Sequence, residues 1–272
     1  MTRTMTSTAA VATLETPAPS PAAERRATPF VRAGILAYGV VAYALFFATF
    51  LYAIGFVGNW FVPKGIDDGT TGALLPSLAI NAVLLSLFAV QHTVMARPWF
   101  KKWITRYIPK AVERSTFVIA TVCCFAALFA FWQPLTHVIW DAHTPGLRIG
   151  LVALSLAGYG IVLFSSFLIS HFDLFGLRQT YLAWRSRTPG PLVFRVIGPY
   201  RLIRHPLMTG FLIAFWATPT MTLGHLFFAI MVTAYILVGI RFEERDLARE
   251  HGETYRQYRR SVRALVPLPR FK

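Results

Sequence analysis

Five charge-free apolar runs alternate with short basic segments along the chain. No Asp, Glu, Lys or Arg occurs in residues 33–63, 69–96, 115–140, 149–170 or 206–240. Each run reaches or exceeds the ~20 residues that cross a hydrocarbon core as a helix. The first four runs predict four long transmembrane helices. The fifth has basic flanks at both ends and should cross an even number of times. As one helix, its 35 residues would be ~52 Å long, far more than the ~30 Å core. Thr218-Pro219-Thr220, followed by Gly224, offers a place to turn. The run therefore predicts a tight helical hairpin with short arms. The charged stretch from Arg241 onward predicts a cytoplasmic C-terminal helix. The expected fold is an all-α polytopic membrane protein, with one integral-membrane domain over residues 30–272. Residues 1–29 are rich in Ala, Thr and Pro and read as a disordered cytoplasmic tail.

Composition agrees, with 55% hydrophobic and 14% charged residues, against about 25% charged in a soluble domain. Of the 27 Lys and Arg residues, all but Lys64 and Arg148 fall in the N-terminal tail, the 96–114 and 171–205 segments, or beyond residue 240. By the positive-inside rule these four regions, and with them both termini, are cytoplasmic. The net charge of +15 raises the question of nucleic acid, but it flanks membrane spans, so the expected partner is the bilayer and no nucleic acid. Lys101, Lys102, Arg106 and Lys110 read as residues snorkelling to headgroups. Cys123 and Cys124, adjacent in an apolar run, exclude a disulfide framework and predict two buried thiols.

The cytoplasmic helix ends collect the chemistry. The second helix closes with Gln91-His92-Thr93, and the third opens at Glu113-Arg114-Ser115, where Ser115 is a candidate N-cap. Asp173 sits in the apolar string Phe172–Leu177 and needs a partner. His171 is a candidate for that partner, or it bonds a carbonyl instead. His92 has a structural hydrogen bond as its alternative to catalysis. His137, His143 and His225 fall on the far side and read as non-catalytic. Glu243 and Glu244 stand where the last apolar run ends, and Tyr255 and Tyr258 follow one turn apart. Arg249, Glu253 and Arg256 read as a solvated face with short-range charge pairs.

Arg204-His205-Pro206-x-x-x-Gly210, the uncharged hairpin, Glu243-Glu244-x-x-Leu247 and Gly252-x-x-Tyr255-x-x-Tyr258 together resemble the isoprenylcysteine carboxyl methyltransferase superfamily. Gln91–Pro98, Glu113-Arg114-Ser115 and His171–Gln179 look like its NnrU-related branch, and within it like the members that methylate small thiols. The resemblance implies a bacterial cytoplasmic-membrane enzyme that methylates a small thiol, methanethiol to dimethyl sulfide, from S-adenosylmethionine. It implies that Tyr200, Arg204, His205, Gly210, Glu243, Glu244, Tyr255 and Tyr258 enclose that cofactor. The chain departs from the superfamily pattern at Met208, where many members carry Tyr, and at His251, where Phe is common.

The chemistry suits the residues. Glu244 can pair with the donor's ammonium and Arg204 with its carboxylate, while aromatic faces attract adenine and sulfonium. A small alkyl thiol is less acidic than cysteine at ~8.5 and must lose its proton. His171, Asp173 and His92 are the candidates to take it, and Arg178 to stabilise the anion. Two other readings stand beside this one. A lipid or isoprenylcysteine acceptor would suit the basic loops. In a haem protein related to the carotenoid isomerases, His92 and His171 would be axial ligands. No metal site of known ligand spacing is expected.

Overall fold

The computed structural model describes residues 28–188, 190 and 196–267. The expected tail lies outside the described residues except for Thr28 and Pro29, which already start the first helix. Helix α1 is Pro29–Gly58: Thr28 Oγ1 accepts the Val31 N–H and Pro29 occupies the first turn. Asn59, left-handed at φ 57°, ends it. Then follow α2 (Leu74–Ala96), the short α3 (Pro98–Ile104) and α4 (Lys110–Phe131). Pro109, not Ser115, stands at the α4 N-cap, because a proline-fixed φ suits a helix start. Ser115 therefore lies a turn inside α4, fully buried.

Strand β1 (Val138–Asp141) leads into α5 (Pro145–Ile169), the single turn α6 (His171–Leu174) and α7 (Leu177–Trp184). A 3-10 turn at Gly198–Arg201 precedes α8 (Pro206–Trp216), strand β2 (Thr220–Thr222) and α9 (Leu223–Ser261). Helices α1, α2, α4, α5 and α9 are long and apolar enough to cross a membrane. Val40, Val41, Leu45 and Phe47 on α1 are exposed, as a lipid-facing stripe requires.

The hairpin differs from expectation in its second arm. The first arm, α8, is short at 11 residues, about 16 Å. Residues 217–219 then turn into the short strand Thr220–Thr222 that precedes the second arm. The second arm is not short: it runs on helically past Arg241 into the charged C-terminal stretch as far as Gly252, where a kink divides the Leu223–Ser261 element in two. Nothing between Ile240 and Arg241 breaks a helix, so the change from apolar to charged sequence marks an environment and not a boundary. Cys123 also differs, being exposed while Cys124 is buried.

At the hairpin turn, β2 pairs antiparallel with β1. Asp141 accepts hydrogen bonds from Thr220 (2.5 Å) and Arg148 (2.8 Å), and Asp67 accepts one from Thr222 (2.6 Å). Lys64 Nζ donates to the carbonyls of Ala130 and Trp132 at the end of α4. His225 is held by the Phe215 carbonyl. The turn, Lys64, Arg148 and His225 thus share one end of the bundle, opposite the other basic segments. Helices α5 and α8 cross in near contact: a Cβ on either Gly158 or Gly210 would lie 2.6 Å from the other's carbonyl oxygen. The aromatic core of Phe56, Trp132, Tyr159, Phe215 and Phe228 fills the half of the bundle nearer the turn.

Candidate active site

Pro206 starts α8, which leaves His205 at its N-cap with Arg204 just before it. Both side chains meet Glu244 of α9. Arg204 Nη2 lies 2.5 Å from Glu244 Oε1, and His205 Nε2 lies 3.1 Å from it. Arg259 Nε adds a third cation at 3.1 Å from Oε2. The Glu244 side chain is 8% exposed, whereas that of Glu243 is 48% exposed. Glu243 approaches the other ring nitrogen of His205 at 3.4 Å. Burial alone would lower the His205 pKa, but the hydrogen bonds and charges of Glu243 and then Glu244 outweigh it and raise it.

Arg259 follows Glu244 by fifteen residues, which is about 22 Å along a straight helix. They touch because α9 breaks at Gly252, where φ is 57° and ψ −130°. That conformation is essentially closed to residues with a Cβ. Beyond the break the chain folds back. Tyr258 Oη donates to the Tyr200 carbonyl at 2.6 Å, and Tyr255 is buried with its ring 6.0 Å from that of Tyr258. The Arg204 and His205 N–H groups donate to the carbonyls of Arg263 and Ala264. The Arg204 guanidinium also donates to the Val262 carbonyl. Tyr200 Oη reaches the Ser165 carbonyl at 3.5 Å. The structure therefore gathers Tyr200, Arg204, His205, Glu243, Glu244, Tyr255 and Tyr258 in one place. Gly210 does not join them, since it sits in the α5–α8 crossing. Arg204 and Glu244, expected to bind opposite ends of one ligand, bond each other.

His171 and Asp173 are not a pair. Asp173 is held by Arg178 Nη1 at 3.0 and 3.1 Å. His171 lies between Ser166 (2.8 Å from Nδ1) and Tyr43 (2.9 Å from Nε2), with the Phe167 ring stacked 4.1 Å away. The Ser166 hydroxyl already donates to the Leu163 carbonyl, so it accepts from His171 Nδ1–H. Nε2 is then the acceptor, and it receives the Tyr43 hydroxyl. Burial lowers the pKa of His171 and so favours the neutral ring. Both nitrogens are occupied, which leaves no lone pair for an axial ligand.

His92 lies apart from both groups. Its ring packs on Phe88 (5.3 Å), Phe117 (4.8 Å) and Tyr235 (6.4 Å), drawn from α2, α4 and α9. Its Nδ1 is buried with no hydrogen-bond partner among the described residues. Such buried groups are uncommon and call for a physical account. Arg97 at the end of α2 bonds Asp246 of α9 at 3.0 Å and closes this side. Among the described residues, no three His, Cys, Asp or Glu side chains converge as a metal ion would need. Two shallow surface depressions, one at Pro29, Arg32, Trp184 and Arg185 and one around Trp60 and Val152, lie away from these polar groups. Polar clustering, not cavity shape, marks the site.

Sequence reasoning missed Tyr43, Ser166, Arg259 and Tyr235. Ser165-Ser166, a polar pair ending an uncharged run, was a usable signal. Tyr43 and Tyr235 carry none, because aromatic residues are common in apolar helices.

Fold and charge distribution define a polytopic helical membrane protein with a polar, ion-paired site at its basic end. No protein-family model and no solved structure matches the chain. Among curated proteins, the Methanethiol S-methyltransferase of Mycobacterium tuberculosis is 49% identical over 232 residues, covering 85% of this chain and 95% of that protein. Methanethiol S-methyltransferase 2 of Bradyrhizobium diazoefficiens is 49% identical over 239 residues, 88% and 92% of the two chains. Nurim of Rattus norvegicus is 27% identical over 186 residues, 64% and 70%. The chain belongs to the methanethiol S-methyltransferase family.

Proposed function

We propose that the protein transfers a methyl group from S-adenosylmethionine to methanethiol, releasing dimethyl sulfide and S-adenosylhomocysteine. The observation that carries this reading is the 49% identity, over 85% of the chain, to a protein named for that reaction. The reaction end is the basic end, which the positive-inside rule makes cytoplasmic in a bacterial inner membrane.

The donor set suits the cofactor. Around Glu244 stand Arg204, Arg259 and His205, a surplus of positive charge that matches a carboxylate. Glu243, half-exposed beside them, is the acid available to an ammonium group. Tyr200, Tyr255 and Tyr258 supply faces for adenine and sulfonium. When bound, S-adenosylmethionine supplies an electrophilic methyl on a sulfonium whose departure as a neutral sulfide drives the transfer.

The protein must hold the acceptor in line and take its proton. His92 is the base in this reading, because its Nδ1 has no hydrogen-bond partner among the described residues while Nε2 of His171 already holds Tyr43. His171 ties the α6–α7 segment to α1 and α5, and the Asp173–Arg178 pair braces the segment internally. An apolar volatile thiol reaches His92 through the bilayer, and the polar donor arrives from the aqueous end.

Membranes bearing the protein, given methanethiol and methyl-labelled S-adenosylmethionine, should release labelled dimethyl sulfide. Label recovered in phosphatidylethanolamine or prenylcysteine instead would replace the acceptor. A Soret band with no S-adenosylhomocysteine affinity would replace the reading altogether.

A further inference from the structure

Among the described residues, Arg114 makes no ion pair, although Glu113 stands beside it in sequence. It stands in the second turn of α4, its Nε donating to the Leu174 carbonyl of α6 at 2.7 Å. That is the one hydrogen bond of its guanidinium among the described residues, and no carboxylate there comes within ion-pairing distance. The other basic residues of the site behave differently: Arg97, Arg178, Arg204 and Arg259 each hold an Asp or Glu. A half-buried arginine at a membrane boundary ordinarily has such a partner.

Its surroundings supply the rest. The guanidinium lies over the Phe117 ring, 4.7 Å from the centroid, and His92 packs on the same ring at 4.8 Å. Among the described residues, three buried polar atoms on α2, α4 and α7 have no hydrogen-bond partner: His92 Nδ1, Ser115 Oγ and Gln179 Oε1. Gly176, at φ 85°, brings the segment onto Ser115, since a Cβ there would lie 2.7 Å from its Oγ. Phe88 and Tyr235 wall the opposite side. The charged groups around Arg114 are Glu113 on its own helix, Lys101 on α3, Glu250 on α9, and the internally paired Arg97–Asp246 and Asp173–Arg178. An arginine in no ion pair among the described residues, a nearby histidine nitrogen with no hydrogen-bond partner there and apolar walls fit a small anion that arrives as a neutral, apolar acid.

We propose that Arg114 binds the acceptor sulfur as a thiolate between itself and His92 on the Phe117 ring. The proposal rests on the methyltransferase reading and adds its acceptor subsite. The acceptor S–H breaks, its proton going to His92 Nδ1. The sulfur lone pair then forms the new S–CH3 bond as the methyl–sulfonium bond breaks, its electron pair staying on the departing sulfide. The proton leaves His92 after the transfer, so each turnover releases one. The role that the sequence offered to Arg178 passes to Arg114, because Arg178 is already neutralised by Asp173. Tyr235 precedes Glu243 by eight residues, about 12 Å along α9, so the thiol lies deeper in the bundle than the donor's polar end.

The test combines thiolate ultraviolet absorbance, steady-state kinetics and calorimetry with S-adenosylhomocysteine. Wild-type protein saturated with S-adenosylhomocysteine should ionise bound methanethiol below the thiol's free pKa; absence of that signal overturns the subsite. R114Q should lose the signal, raise KM for the thiol and lower kcat/KM about 10²-fold, with S-adenosylhomocysteine affinity kept. It should also lose less with a more acidic thiol, which ionises unaided. An unchanged thiolate signal or unchanged thiol KM in R114Q overturns the proposal. Should R114Q fail to bind S-adenosylhomocysteine, R114K carries the test: the thiolate signal must move to higher pH, and an unmoved signal overturns it. Failure of the wild type to make dimethyl sulfide would count against the methyltransferase reading itself.

Discussion

Arg259 and Glu244, fifteen residues apart on the two sides of the Gly252 kink, meet at 3.1 Å. The break at Gly252 makes the contact possible, and the contact in turn holds the fold-back that brings Tyr255 and Tyr258 to Tyr200. Gly252→Ala should cost about 1–3 kcal/mol, the usual range for a side chain in a glycine-only conformation. It should also weaken S-adenosylhomocysteine binding. Thermal unfolding in detergent and calorimetry check the two effects, and full affinity in the variant would disconnect the fold-back from the donor site.

The neighbouring acids should separate stability from binding. Glu244→Gln leaves Arg204 and His205 buried beside a neutral amide, and breaking a buried ion pair costs about 3–5 kcal/mol. Glu243→Gln removes a half-exposed charge, worth at most about 1 kcal/mol to the fold. If Glu243 holds the donor's ammonium, the same change removes a charge-assisted bond and costs roughly 10–100-fold in affinity. Melting temperature and calorimetric Kd for both variants read this out. Equal affinity of E243Q and wild type would exclude Glu243 from the donor site.

His205 predicts a pH dependence of definite sign. Its folded pKa is raised by Glu243 and Glu244 above the ordinary value of about 6.5. The protonated ring's contribution is therefore complete below about 6.5 and fades as pH rises through the folded value. Unfolding midpoints across this range should fall with pH in the wild type and show a flatter profile in H205Q. Parallel profiles would mean that His205 is neutral in the folded protein.

His92 and His171 should differ in kind. H92Q should lower kcat about 10²–10⁴-fold, the usual contribution of a general base, with S-adenosylhomocysteine affinity intact. H171Q, which loses the Tyr43 and Ser166 bonds, should lower the melting temperature and cost less in kcat. The reverse ranking, in folded protein, would move the base to His171 and reopen the expectation drawn from the sequence.

Much of the fold was legible because a membrane imposes one rule on every span: twenty or so residues without charge. The four long helices that occupy most of the first four charge-free runs, and the turn after Thr218, follow from that rule. The continuity of α9 did not, since charge-free length cannot tell a helix that ends from one that leaves the bilayer. At the site, the relevant residues were visible but their partners were not. Asp173 needs a cation, and residues two apart on a helical turn point about 200° away from each other. It found Arg178 five positions on, while His171 found Tyr43 on α1, 128 residues distant. Arg204 and Glu244 stood out as ligands for a zwitterion, and only the packing of α8 on α9 pairs them. The bend at Gly252 depends on a contact made after the bend, so no local pattern announces it.

The fold-back also sets an order of events during synthesis. Residues 259–264, which close the Arg204–Glu244 cluster, leave the ribosome after the last charge-free run has been made. A nascent chain halted near residue 250 would hold all of its charge-free runs but not the completed cluster around Glu244. Insertion and competence for chemistry are therefore separate stages, and a late stop codon should give a membrane-resident protein that is silent towards its cofactor.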